Sequence, residues 1–279
     1  MPPSTRRHRA SPSRRRAASP AAKKPKRATK KPKSDADVWL NTDGRHGSPW
    51  YCRGRPRPLF RGWLHVSAAL CSPIYSAYQL SLCENMQEAA AVALACLGAT
   101  CMFGFSGRYH RYNFKDEEAE EFAGSLDYCG IYLQIAFSGA PLYLLALPSP
   151  SNWLVIGGMG ACAIVGMLIA LTPYVDLGRH GGTLVYCLMG CLGGLPIVSS
   201  TSTGDSVWSQ LLDSERALLK GCAVSYLIGS QVYAHATPKL WPRVFGFHEL
   251  WHLLVVVGSF CSYAANCSLL LRRASVAAF

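Results

Sequence analysis

Seven stretches of seventeen to twenty-two mostly apolar residues, separated by short polar loops, fill this chain from residue 63 onward. They run approximately over 63–82, 89–105, 126–147, 153–171, 183–199, 218–235 and 250–271. A helix needs about 20 such residues to cross the roughly 30 Å hydrocarbon layer of a bilayer. Inside that layer every backbone polar group must be satisfied locally, so runs of this kind fold as helices. The pattern predicts an all-α protein: a seven-transmembrane helix bundle, hence a multi-pass integral membrane protein. A soluble helical protein is the competing reading. It is disfavoured because only 16% of the residues are charged, against about 25% in soluble domains. Pro73, Pro141 and Pro196 fall inside the runs, where membrane helices tolerate them. Gly157, Gly158, Gly160 and Gly166 in the fourth run, with Gly190, Gly193 and Gly194 in the fifth, predict close helix packing there.

The net charge of +12 is not spread along the chain. Residues 1–34 hold 13 Lys and Arg and no acid, whereas the remainder carries 15 basic and 16 acidic side chains. Residues 1–33 also lack Val, Leu, Ile, Phe, Trp and Tyr. Such a segment cannot bury enough surface to offset its ordering entropy. We therefore divide the chain into a disordered polybasic tail (1–48), a Pro/Arg/Gly-rich connector (49–62) and a membrane domain (63–272). With no apolar stretch, the tail is not expected to be a signal peptide. "KKPKR" within it is read as a solvated basic run, and no specific nucleic-acid partner is expected. A tail of this kind attracts anionic lipid head groups. Placing it in the cytoplasm puts Arg108, Arg111, Lys115, Arg179, Lys239 and Arg243 on the same side, as loop-charge asymmetry requires. Arg272 and Arg273 go against that trend. The twelve cysteines form no Cys-x-x-Cys pair and read as small apolar residues in helix packing. The oligomeric state and the particular cellular membrane are not encoded in any feature of the sequence.

On this topology His110, Asp127, His248 and His252 all fall at the cytoplasmic ends of helices, at similar depth. His248 and His252 are four residues apart, so they share a helix face with their Cβ atoms about 5–6 Å apart. Two imidazoles so placed can hold one zinc ion, and His110 can supply a third ligand. Three histidines plus an open position is a catalytic zinc arrangement. Asp127 could hold and deprotonate a water there, and Ser106, one turn before His110, could polarise a carbonyl. Ionisable residues inside a bilayer are costly and mark function. Taken singly, each has a plainer reading. His65, His180 and His235 are read as interfacial polar residues, with His65 on the same side as the cluster. Asp127 could be an acid favoured at a helix start. "HELWH" also matches His-Glu-x-x-His, in which Glu249 would be a protease general base. Glu249 is read instead as incidental, a possible rival to Asp127.

"FSGRYHRYN", "LDYCGIYL" and "GFHELWHLLVV", with "RGWLH" before the first run and "SYLIGSQVYA" in the sixth, resemble the hemolysin III family, related to the progestin and adipoQ receptors, including the adiponectin receptors. The likeness covers roughly residues 57–272. It implies seven membrane helices, a cytoplasmic N-terminus, and zinc held by His110, His248 and His252, with Asp127 contacting the zinc-bound water. The adiponectin-receptor branch is associated with ceramide hydrolysis, so the resemblance implies a zinc-dependent hydrolase of a lipid amide or ester. The alternatives are a non-enzymatic receptor or membrane-integrity protein with structural zinc, and an intramembrane metalloprotease. Such proteases pair the histidine motif with Leu-Asp-Gly; the nearest sequence here is Leu126-Asp127-Tyr128.

Overall fold

A computed structural model describes residues 57–114, 116–172, 174–199 and 206–273. The expected polybasic tail and the first part of the connector lie outside the described residues. Among the described residues the chain is helical, without strands. Seven long helices are α1 (Trp63–Ser81), α2 (Met86–Arg111), α3 (Glu117–Phe137), α5 (Ser151–Leu171), α6 (Gly178–Val198), α8 (Asp213–His235) and α9 (Phe247–Leu271). Two short helices are α4 (Ala140–Ala146) and α7 (Val207–Gln210). Each long helix packs on the next, and α9 returns to α1, so the seven close into a ring.

Five spans are long and apolar enough to cross a membrane: α2, α3 with α4, α5, α6 and α9. Their lipid-facing character is visible in Leu154, Ile164, Leu168, Leu184 and Leu188, all more than half exposed on the outside of the bundle. The other two long helices carry more polar residues. Those side chains turn inward: His65, Ser72 and Gln79 on α1 are buried, as are Glu215, Ser225 and Ser230 on α8.

Local chemistry sets the helix ends. Asn85 caps α2, its Oδ1 accepting from the backbone N–H of Gln87 and Glu88 at 3.0 and 2.9 Å. Asp116 caps α3 by accepting from the Ala119 N–H at 2.8 Å. The third helix therefore begins at Glu117, nine residues before the apolar run, because an acidic first turn of Glu117, Glu118 and Glu120 extends it. Asp127 lies well inside this helix rather than at its start. The expected single span 126–147 is broken at Ser138–Gly139, since Pro141 at the start of α4 has no N–H to continue the ladder. Asn266 Nδ2 and Ser262 Oγ donate to the Ser138 carbonyl at 2.8 and 3.2 Å. Side chains of α9 thus satisfy backbone that the break leaves open.

Helix approach differs from the sequence expectation. A Cβ at Gly157, Gly158, Gly190 or Gly194 would meet nothing within 4 Å. Gly166 and Gly193 do face neighbours, the ring of Tyr132 and the side chains of Tyr143 and Met159. The tightest backbone approach is between α2 and α3. A Cβ at Gly130 would stand 2.7 Å from Met102 Cα, and one at Gly98 would stand 2.8 Å from the Leu133 carbonyl oxygen. These two glycines hold the helices carrying His110 and Asp127 in register. Gly130→Ala is expected to cost about 1–3 kcal/mol by overpacking, seen as a lower melting temperature of the purified protein. Gly157→Ala should leave it unchanged or slightly raised, since alanine is the better helix former.

Candidate metal centre

His110 is the penultimate residue of α2, and His248 and His252 occupy the first two turns of α9. α9 starts where it does because Glu249, in its first turn, accepts the Gly246 N–H at 2.7 Å. All three rings are buried, none more than 4% exposed. One ligand nitrogen from each lies within 4.8 Å of the other two. His110 Nε2 and His248 Nε2 stand 3.2 Å apart. Two nitrogens held tetrahedrally at 2.0–2.1 Å from one zinc ion would stand about 3.3 Å apart, a spacing that the His110–His248 pair matches, and the set of three could hold a metal ion. Nδ1 of His248 and of His252 has no hydrogen-bond partner among the described residues.

Asp127 reaches this cluster from α3, its Oδ2 3.6 Å from His110 Nε2. It keeps 16% side-chain exposure, more than any of the three rings. Ser106 is buried one turn before His110. Ser106, Asp127, His248 and His252 line one cavity of about 440 Å³ inside the ring of helices. From the histidines it runs past Tyr226 and Leu227 to Trp208, Leu219 and Lys220, toward the opposite end of α8. Its wall is largely apolar, with His65, Ser106, Asp127, His248 and His252 at one end and Lys220 toward the other. Large apolar pockets with a few convergent polar groups are the usual form of a small-molecule site. The four residues singled out from the sequence, with Ser106, are therefore brought together.

Three neighbours were not read from the sequence as part of the site. His65 stacks on His252, ring centroids 3.9 Å apart and planes 12° from parallel. It is buried against the cluster and lines the same cavity, rather than lying at an interface. Glu249 is not incidental: it is 1% exposed and forms an ion pair with Arg61, itself 2% exposed. Gly62, at φ 79°, abuts His110, and a Cβ there would come within 2.6 Å of the His110 Cβ. The arrangement makes residues 57–62 a strap across the histidine end. Arg57 donates to the Tyr112 carbonyl at 2.6 Å. The N–H groups of Leu59 and Phe60 donate to the carbonyls of Arg243 and Val244 at 2.9 and 3.1 Å. The available sequence signal was "RG" immediately before a helix, a charge and a left-handed residue where the chain must turn.

Glu249→Gln keeps an acceptor for the Gly246 N–H but removes the carboxylate charge that faces buried Arg61. Breaking a buried pair costs about 3–5 kcal/mol, so a clear fall in melting temperature is expected. Adding Arg61→Met should recover part of it, and thermal melts of both variants check this.

A family model described as Haemolysin-III related matches residues 54–263. The chain is 26% identical over 219 residues to progestin and adipoQ receptor-like protein 1 of Caenorhabditis elegans, covering 72% of this chain and 49% of the relative. It is 26% identical over 220 residues to the adiponectin receptor protein of Drosophila melanogaster, covering 72% and 48%. It is 24% identical over 196 residues to hemolysin-3 of Bacillus cereus, covering 70% and 82%. The chain thus spans about half the length of the two animal relatives and most of the bacterial one. With five apolar spans and this match, the chain is a multi-pass integral membrane protein and belongs to the haemolysin-III-related family.

Proposed function

We propose that this protein is a zinc-dependent membrane hydrolase acting on a lipid amide or ester, with ceramide-like lipids as the substrate class. The observation that carries the reading is the opening of a buried three-histidine cluster, with a carboxylate beside it, onto an apolar cavity of about 440 Å³. All seven long helices cross the bilayer on this reading, with the N-terminus in the cytoplasm and the basic tail against anionic head groups.

His110, His248 and His252 would hold the ion. Zinc there would supply Lewis acidity at the polar end of the cavity. Asp127 is the general base: its carboxylate takes the proton of the attacking water and passes it to the leaving amine or alcohol. Its partial exposure leaves room for that water. Ser106 Oγ donates a hydrogen bond to the carbonyl oxygen as charge builds there. The apolar cavity wall receives the hydrocarbon chains and keeps bulk water from the reacting carbonyl.

The test uses purified protein, elemental analysis and a labelled long-chain ceramide. His252→Ala should lose both bound zinc and fatty-acid release. Asp127→Asn should keep zinc and slow release by about 10²–10⁴-fold. Wild-type turnover in the Asn variant would remove Asp127 from the mechanism. Stoichiometric zinc with no release from any lipid amide or ester would overturn the enzyme reading in favour of a structural site in a receptor.

A further inference from the structure

A second cavity, of about 380 Å³, lies between α1, α2 and α9, on the far side of Gln134, Ser138 and Ser262 from the histidine cavity. Its volume falls within the range of small-molecule sites. Cys71, Ala99, Phe103, Val256, Phe260 and Tyr263 form much of its wall. Cys71 and Phe260 are exposed on the bundle surface, so the cavity is reached from the surrounding lipid.

Most polar groups around it already have partners. The Tyr75 hydroxyl donates to the Ala68 carbonyl at 2.9 Å. Asn266 and Ser262 both donate to the Ser138 carbonyl. Gln79 donates to the Cys267 sulfur at 3.8 Å. Gln134 differs. It is 4% exposed, and its Nε2 donates to Ser259 Oγ at 3.1 Å and to the Tyr226 hydroxyl at 3.5 Å. Its Oε1 is buried with no hydrogen-bond partner among the described residues. A buried amide oxygen left unpaired costs roughly 1–3 kcal/mol. A hydroxyl donor supplies the partner that Oε1 lacks.

We infer that this cavity is a second lipid site, taking a neutral apolar molecule whose single hydroxyl bonds the Gln134 amide. The site shares Gln134, Ser138 and Ser262 with the wall of the histidine cavity but includes none of the histidines, and it does not depend on whether their cluster holds a metal. Charged head groups do not suit it, because no charged side chain among the described residues lines the cavity. A flat ring alcohol and a linear long-chain alcohol share the required chemistry.

The experiment uses the full chain in phosphatidylcholine nanodiscs. Two photoreactive, alkyne-tagged alcohols, one sterol and one linear, are compared with their methyl ethers, and adducts are mapped by mass spectrometry. The expected result is saturable labelling of the cavity-lining peptides of α1, α2 and α9 by one alcohol, competed by the untagged compound. The probe that labels identifies the source. The matching ether, which cannot donate to Oε1, should label about tenfold less. Gln134→Leu should cause a similar loss, and Ala99→Phe, which fills the cavity, should abolish labelling. Melting temperatures report whether the variants fold; if either does not, the alcohol–ether comparison on the unaltered protein decides. Equal labelling by alcohol and ether, labelling indifferent to Ala99→Phe, or adducts spread over the outward faces of α5 and α6 would each overturn the inference.

Discussion

His110 Nε2 and His248 Nε2 face each other at 3.2 Å in side chains almost entirely removed from solvent. Two bare ring nitrogens at that distance repel, and so do two N–H groups; a shared proton or a shared cation makes the contact favourable. The contact also joins helices from distant parts of the chain, so it exists only if α2 and α9 are held in fixed register. Three features do that at different heights. Gly98 and Gly130 let α2 and α3 touch at the backbone. The strap at residues 57–62 ties the end of α2 to the start of α9 through Arg57, Gly62 and the Arg61–Glu249 pair. At the opposite end, Glu215 of α8 pairs with Arg272 and accepts from Ser268 of α9 at 2.7 Å.

That opposite end also explains the two arginines that run against the loop-charge trend. Arg272 pairs with Glu215, and Arg273 pairs with Glu84 and Glu88. Paired charges act as helix-end clamps. Counting basic residues along the sequence treats them as free, so Arg272 and Arg273 weigh against an orientation that the other loops support.

The all-helical fold, the positions of most of the long helices and the shared face of His248 and His252 were legible in the sequence, because each rests on local spacing. The run of about twenty apolar residues marks a span, and the four-residue interval places His248 and His252 on one face. What was not legible depends on neighbours. The start of α3 was misplaced because acidic turns outside the apolar run still propagate a helix from Asp116. Packing glycines were assigned to α5 and α6 by their density, yet close approach depends on what lies opposite, and Gly98 and Gly130 face backbone while Gly157 and Gly190 face none. Glu249 looked incidental because its partner Arg61 is 188 residues away. His65 looked interfacial because nothing local announces that its ring stacks on His252.

The proposed hydrolase and a purely structural cross-link differ in what they require around the cluster. A metal that only tied α2 to α9 would be served by a filled surround, with every ring nitrogen engaged and no void beside it. Here the histidines, Asp127 and Ser106 border an elongated apolar cavity. Such a cavity beside the buried cluster of imidazoles is what the proposed hydrolase requires, room for hydrocarbon next to a polar linkage. Asp127, the most exposed of the four ionisable groups there, stands where the cavity meets that cluster. A carboxylate in that position can meet both a water molecule and the linkage to be cleaved, as a general base must.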